Sequence, residues 1–280
     1  MTMHFFLRQC ILLSADELKQ LFFRKRILFT LFIYIGTLLF TFWVLSKSYA
    51  FLQTSMVDLQ IPPDQKAVMK QAFDRFSFPD KMKEQFPILN YPFALLVYFI
   101  VSLFTIPFLT GMISCNMISE DLSRGTQRFL LFRVSRSAYY WSKTFSHFLF
   151  YLLIQCFILS LMIAFFLYDS KQAFSFSILY QGMDLTLRLI PLIICFLGYS
   201  QIISSQFSST AKSWLVNQAG LVLMLLILMI QPLFSFFHAS LWSGLFYSDC
   251  YNILISLGGF SLWGIFFLSS GYLLFHYKKL

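Results

Sequence analysis

The chain has 280 residues, 58% hydrophobic and only 12% charged, with a mean hydropathy of +0.71 and a net charge of +9. Soluble domains run about 45–50% apolar and about 25% charged, so this composition excludes an ordinary water-soluble domain and requires lipid as solvent. The basic balance raises nucleic acid as a partner. In a membrane chain, however, Lys and Arg collect on one side of the bilayer, so no nucleic-acid partner is expected.

The amino-terminal arm, residues 1–26, carries Ser14-Ala-Asp-Glu17, a capping-box pattern, followed by Leu18, Leu21 and Phe22 on one helical face. Lys19, Arg24, Lys25 and Arg26 add a basic face and flank, as in a helix lying in the headgroup layer. A bilayer core of about 30 Å takes about 20 helical residues per crossing. Six runs meet that length: Ile27–Leu45, Phe93–Ile113, Phe145–Leu167, Leu189–Ser205, Leu215–Phe237 and Ile253–Phe275. Ser48-Tyr49-Ala50 resembles a signal-peptidase site, but 26 residues precede a run of 19, so the first span is read as uncleaved. Residues 46–92 form an outer loop with Val68, Ala72, Phe73 and Phe76 at helical spacing, a short cap too small for its own core. The fourth run is the weakest, with Gly198, Tyr199, Ser200 and Gln201 in its middle, and Asp184 and Arg188 form a surface pair at its outer end. Pro107, Pro191 and Pro232 are expected to kink their helices, and the chain after Gln231-Pro232 either re-enters the bilayer or forms a simple outer loop.

Counting Lys and Arg in alternate segments gives 13 on one side against eight on the other; with acids included the two sides net +9 and zero. The positive-inside rule puts the basic side in the cytoplasm. The expected architecture is therefore an all-α polytopic membrane protein, a single domain over 1–280 with six transmembrane helices, both termini cytoplasmic and an amino-terminal interfacial helix.

Catalytic and metal signatures are absent. No G-x-x-x-x-G-K-[ST] or H-E-x-x-H occurs, the spans hold no acidic pair, and Cys10, Cys115, Cys156, Cys195 and Cys250 lack metal-ligand spacing. His4, His147, His238 and His276 lie near predicted membrane edges and read as polar anchors there. With no Asp or Glu in the hydrophobic runs, a coupling ion has no obvious ligand, and the energy for any transport would come from another chain. The chain is read as no enzyme itself, with no cofactor and no metal.

Between the second and third spans, residues 114–144 form a charged cytoplasmic connector. Gly125 permits a tight turn, Thr126 can cap a helix over Gln127–Phe132 with Arg128 and Arg133 on its polar side, and Ser135 or Ser137 can start the next helix. Tyr139, Tyr140, Trp141 and Lys143 read as an interfacial belt. The order Glu120-Asp121, Gly125-Thr126, Leu130-Leu131, Val134-Ser135-Arg136 and Lys143 seven residues later resembles the signature of type-2 exporter permeases of the ATP-binding-cassette superfamily. Asp16-Glu17-Leu18 and Arg24-Lys25-Arg26 are similar to the opening of that family. Two departures stand out: Arg133 replaces a proline, and the gap from Gly-Thr to Val-Ser-Arg is one residue short.

The resemblance implies a permease that pairs with a second copy or a paralogue in the inner membrane of a prokaryote. Separate cytosolic ATPase subunits, which hold ATP and Mg, would dock against the connector, with membrane lipid around the spans. Glu120, Asp121, Arg124, Gly125, Thr126, Arg136 and Lys143 are the expected coupling residues: the acids as contacts, Arg124 and Arg136 opposite acids on the ATPase or within the fold, and Gly125-Thr126 as the turn. Two other readings stand beside it: a membrane scaffold or assembly component without transport activity, and an ion-coupled secondary transporter.

Overall fold

The computed structural model describes residues 3–58, 91–170, 175–229 and 250–278. All regular elements among them are helices: α1 Met3–Phe23, α2 Lys25–Asp58, α3 Phe93–Ser114, α4 Ser119–Arg124, α5 Thr126–Leu131, α6 Arg136–Ser170, α7 Phe176–Gln206, α8 Thr210–Met229 and α9 Cys250–Tyr277. Five of them (α2, α3, α6, α7 and α9) contain stretches long and apolar enough to cross a membrane. The chain thus has the make-up of a multi-pass membrane protein. α8 coincides with the start of the fifth apolar run, whose remainder lies outside the described residues, as do the cap positions 68–76 and the Gln231-Pro232 segment.

The helices outrun the apolar stretches that nucleate them. α2 has 34 residues, roughly 51 Å at 1.5 Å per residue against a core of about 30 Å, so residues 46–58 continue the helix instead of opening a loop. Along α2, Ile27, Thr30, Tyr34, Leu38 and Phe42 are buried at helical spacing, while Phe29, Phe32, Phe40 and Trp43 are exposed. Such a helix is apolar all round, as one packed between protein and lipid must be.

α7 is the hub, packing against α3, α6, α8 and α9. It starts at Phe176 rather than Leu189, so Asp184 and Arg188 lie within the helix. Arg188 is buried and bonds Asp184 at 3.0 Å, and Tyr91 donates to the same carboxylate at 3.2 Å. The expected surface pair is therefore part of the packing. The run interrupted by polar residues in its middle is the most enclosed helix of the five, because Ser200, Gln201, Ser204 and Ser205 face protein rather than lipid. Its contact with α9 is close: a Cβ on Gly264 would stand 2.7 Å from Ile194 Cγ2 and 3.1 Å from the Cys195 backbone nitrogen. Both Pro107 and Pro191 sit inside continuous helices, α3 and α7.

At one end of the bundle, the start of α6 meets the ends of α7 and α9. Arg136 donates to the His276 and Lys278 carbonyls at 2.7 and 3.1 Å, and Lys278 Nζ donates to the Ser205 and Gln206 carbonyls at 2.8 and 3.0 Å. Cations thus satisfy the terminal carbonyls of two helices. α1 packs along α6 at this same end, with Ser14, Glu17 and Leu21 as its buried stripe. Tyr91 and Asp184 mark the opposite end.

Candidate functional site

The 114–144 connector is built from two short helices joined at Gly125, whose left-handed conformation (φ 69°, ψ 1°) ends α4 and sends its N–H to the Leu122 carbonyl. Its root is fixed from the bundle. Ser204 on α7 accepts from the Ile118 and Ser119 N–H groups at 2.8 and 3.1 Å, and the Ser213 hydroxyl on α8 bonds the Cys115 carbonyl. Ser135 accepts from the Ala138 N–H at 3.2 Å and so caps α6, one of the two starts the sequence allows. Thr126 does not cap α5, which it begins. Its hydroxyl turns back and donates to the Asp121 carbonyl and carboxylate at 3.3 and 3.4 Å.

Above α4 lies a network of charges on three elements. Lys143 of α6 stands between two carboxylates, 2.5 Å from Glu17 of α1 and 3.0 Å from Asp121 of α4. Tyr139 donates to Asp121 at 2.6 Å. Arg24, at the bend between α1 and α2, bonds Glu120 at 2.9 Å and lies 3.8 Å from Glu17. Arg124 closes on the other oxygen of Glu120 at 2.6 Å. His147 faces Glu17 from above, its Nε2 3.8 Å from Oε1, while Nδ1 bonds Ser114 at 2.9 Å. The Glu17 Oε1 and His147 Nε2 atoms are both buried without a hydrogen-bond partner.

Glu17 and Lys143 are almost fully enclosed, where an unpaired charge costs several kcal/mol. Burial alone would raise the Glu17 pKa; the facing His147 ring and the Lys143 ammonium reverse that and hold its carboxyl at about 2. Lys143 is the direct contact and carries the pairing, since His147 stands beyond hydrogen-bond distance. The network therefore ties α1, the connector and α6 into one electrostatic unit.

Of the expected coupling residues, the structure brings Glu120, Asp121, Arg124, Thr126 and Lys143 together around Gly125. Arg136 stands apart, on the end of α9. The acids do not point outward as free contacts: Asp121 is held by Lys143 and Tyr139, and Glu120 by two arginines. The outward tip of the connector is instead Phe132, 89% exposed, with the exposed Arg133 beside it. Arg133 donates its backbone N–H to the Leu130 carbonyl at 3.0 Å, a bond proline could not make, and its own carbonyl accepts from Gln9 of α1 at 3.3 Å. The side chain of Arg128 lies outside the described residues.

Three further expectations change. Ser14 and Glu17 do not start a helix, because α1 runs unbroken from Met3; both turn inward, Ser14 donating to the Ser142 carbonyl at 3.1 Å. His147 is buried, not an interfacial anchor. Tyr139 and Tyr140 pack with Met117, Ile118 and Phe275 instead of forming a belt, and of that quartet only Trp141 is exposed. Glu17, Arg24, Tyr139 and His147 belong to the site although the sequence suggests other roles for them: a helix cap, a basic flank, an interfacial belt and a polar anchor. The available signal was that Glu17 and Arg24 sit seven apart, on one helical face.

A second polar cluster lies inside the bundle. Tyr34 bonds Ser102 at 2.9 Å, Ser102 and Tyr98 both donate to Gln155 at 3.4 and 3.3 Å, and Tyr98 bonds Thr186 at 3.0 Å, linking α2, α3, α6 and α7. Among the described residues, no group of three or more His, Cys, Asp or Glu could hold a metal ion. The chain matches no protein-family model and no curated protein.

Proposed function

We propose that the chain is the membrane-spanning permease subunit of an ATP-driven exporter of the ATP-binding-cassette superfamily. It has six spans and both termini in the cytoplasm of a prokaryotic cell, and it works with a second permease copy or paralogue. Separate ATPase subunits dock below the 114–144 connector and supply the ATP chemistry. The observation that carries this reading is the placement of Lys143 between Glu17 and Asp121. A displacement of α4 by a partner is passed through that cation to the interfacial helix and to a span 35 residues long. A mere surface loop has no need of so costly a buried link.

The inward-facing acids alter the expected docking chemistry. The partner would meet the tip, where Phe132 supplies an apolar anchor and Arg133 a charge, since aromatic residues and arginine are enriched at interfaces. Glu120, Asp121 and Lys143 transmit the motion, and Gly125-Thr126 fix the angle between the two connector helices.

The test is a mild-detergent pull-down of tagged chain from its native membrane, assayed for a co-purifying ATPase. Phe132→Glu/Arg133→Glu should lose that partner while keeping the wild-type melting temperature. Recovery of the wild-type chain without any ATPase would overturn the assignment and move the scaffold and secondary-transporter readings ahead.

A further inference from the structure

Beside the bend between α1 and α2 lies a half-open cavity of about 390 Å³ with two unlike walls. Ile27, the first buried apolar residue of α2, and Met112 and Ile113, in the last turn of α3, form the apolar wall. Arg24, Lys25, Arg124 and Glu120 form the charged part of the other wall, with the uncharged Asn116, Ser123 and Thr210 beside them. One carboxylate is shared between two guanidinium groups, and Lys25, exposed, has no acidic partner among the described residues. The cavity is therefore positively charged over its polar half. It sits where two apolar helices reach their charged ends, the level of the boundary between hydrocarbon and headgroups.

We infer that this cavity binds the headgroup of an anionic phospholipid, with the phosphodiester on Lys25, Arg24 and Arg124 and the glycerol and first acyl carbons on Ile27, Met112 and Ile113. Arginine and lysine are the phosphate-binding side chains, arginine through its planar fork, and the amino end of α2 adds a favourable dipole. The apolar wall selects the source of the phosphate. A free anion gains nothing from it, whereas a lipid arriving from the bilayer presents its headgroup and its chain at those two heights together. The occupied site would neutralise the charge left over by the Arg24–Glu120–Arg124 group and brace the bend that α1 makes into α2. This inference stands independently of the transport reading.

The test uses the full-length chain in an uncharged detergent, with native mass spectrometry of bound dioleoyl phosphatidylglycerol and dioleoyl phosphatidylcholine. The wild type should retain phosphatidylglycerol in preference. Taking about 1 kcal/mol, or about fivefold, for each cation that touches the bound headgroup, Arg124→Gln should lower the retained fraction about fivefold and Lys25→Glu about twentyfold. Lys19→Glu makes the same change of charge on an exposed residue of α1 that does not line the cavity, and it should stay within twofold of wild type. Equal losses for Lys25→Glu and Lys19→Glu would overturn the site in favour of diffuse charge attraction. Equal retention of phosphatidylcholine, or displacement of phosphatidylglycerol by millimolar inorganic phosphate, would overturn it as well.

Discussion

Replacing Glu17 by Gln keeps the size of the side chain and removes the charge that faces Lys143. The Glu17 carboxyl is held at about 2 against an ordinary value of 4.5. That difference sets a ceiling of about 3 kcal/mol of folding free energy at neutral pH, taking about 1.36 kcal/mol per pH unit, of which Lys143 supplies a part and the more distant His147 ring another. Because the folded-state value lies below the unfolded one, this contribution is complete above about pH 5 and falls away as pH drops from 4.5 towards 2. At pH 7, Glu17→Gln should therefore melt several degrees, up to roughly 6–12 °C, below the wild type, followed by circular dichroism in an uncharged detergent. Repeated at pH 5, 4, 3 and 2.5, the gap should narrow to less than a third of its neutral value, since the wild type becomes protonated at the same position. A gap that stays constant over this range would refute the reasoning. It would mean that Glu17 contributes through shape and hydrogen bonding alone, with its charge already neutralised.

Lys143→Met should cost about 3–5 kcal/mol, since it leaves Glu17 and Asp121 buried without their shared cation; adding Glu17→Gln should recover much of the lost melting temperature by removing one of the two charges. Gly125→Ala should destabilise by about 1–2 kcal/mol because φ is 69° there, with Gly125→Asn milder, as read from the same melts. Gly264→Val should cost about 1–3 kcal/mol or prevent α9 from docking, as its side chain meets Ile194 and the Cys195 backbone; the yield of monodisperse protein on gel filtration measures this.

Much of the fold is visible in the residues. Apolar runs long enough to span a bilayer, separated by charged segments, locate α2, α3, α6, α7 and α9 because burial in lipid tolerates no other pattern. Their ends were less visible. Asp58 and Phe176 lie some 13 residues beyond the apolar runs, because a helix continues wherever nothing breaks it, and on α7 the extension packs into the bundle. Gly125 was legible because only a residue without a Cβ takes that turn at no steric cost. The direction in which Glu120 and Asp121 point was not. A cation 22 residues from Asp121 and an acid more than 100 residues before it settle that orientation, and spacing within one segment does not encode such pairing. The same blindness hid Glu17: Ser14-x-x-Glu17 fits a helix start locally, and only the long-range contact with α6 shows both residues turned inward.

The polar interior of α7 bears on how the protein is made. Exposed to lipid alone, a helix carrying Ser200, Gln201 and Ser204, with Arg188 one turn in from Asp184, partitions poorly, since polar groups left without partners in hydrocarbon are costly. Its close partner α9 leaves the ribosome only after a further stretch of synthesis, so α7 must wait in a half-satisfied state, shielded by α3 and α6. Assembly then finishes in one late step, when the Gly264 face closes over Gly198. Chains halted before Cys250 would present the same polar stripe to the bilayer and be ready substrates for membrane proteases.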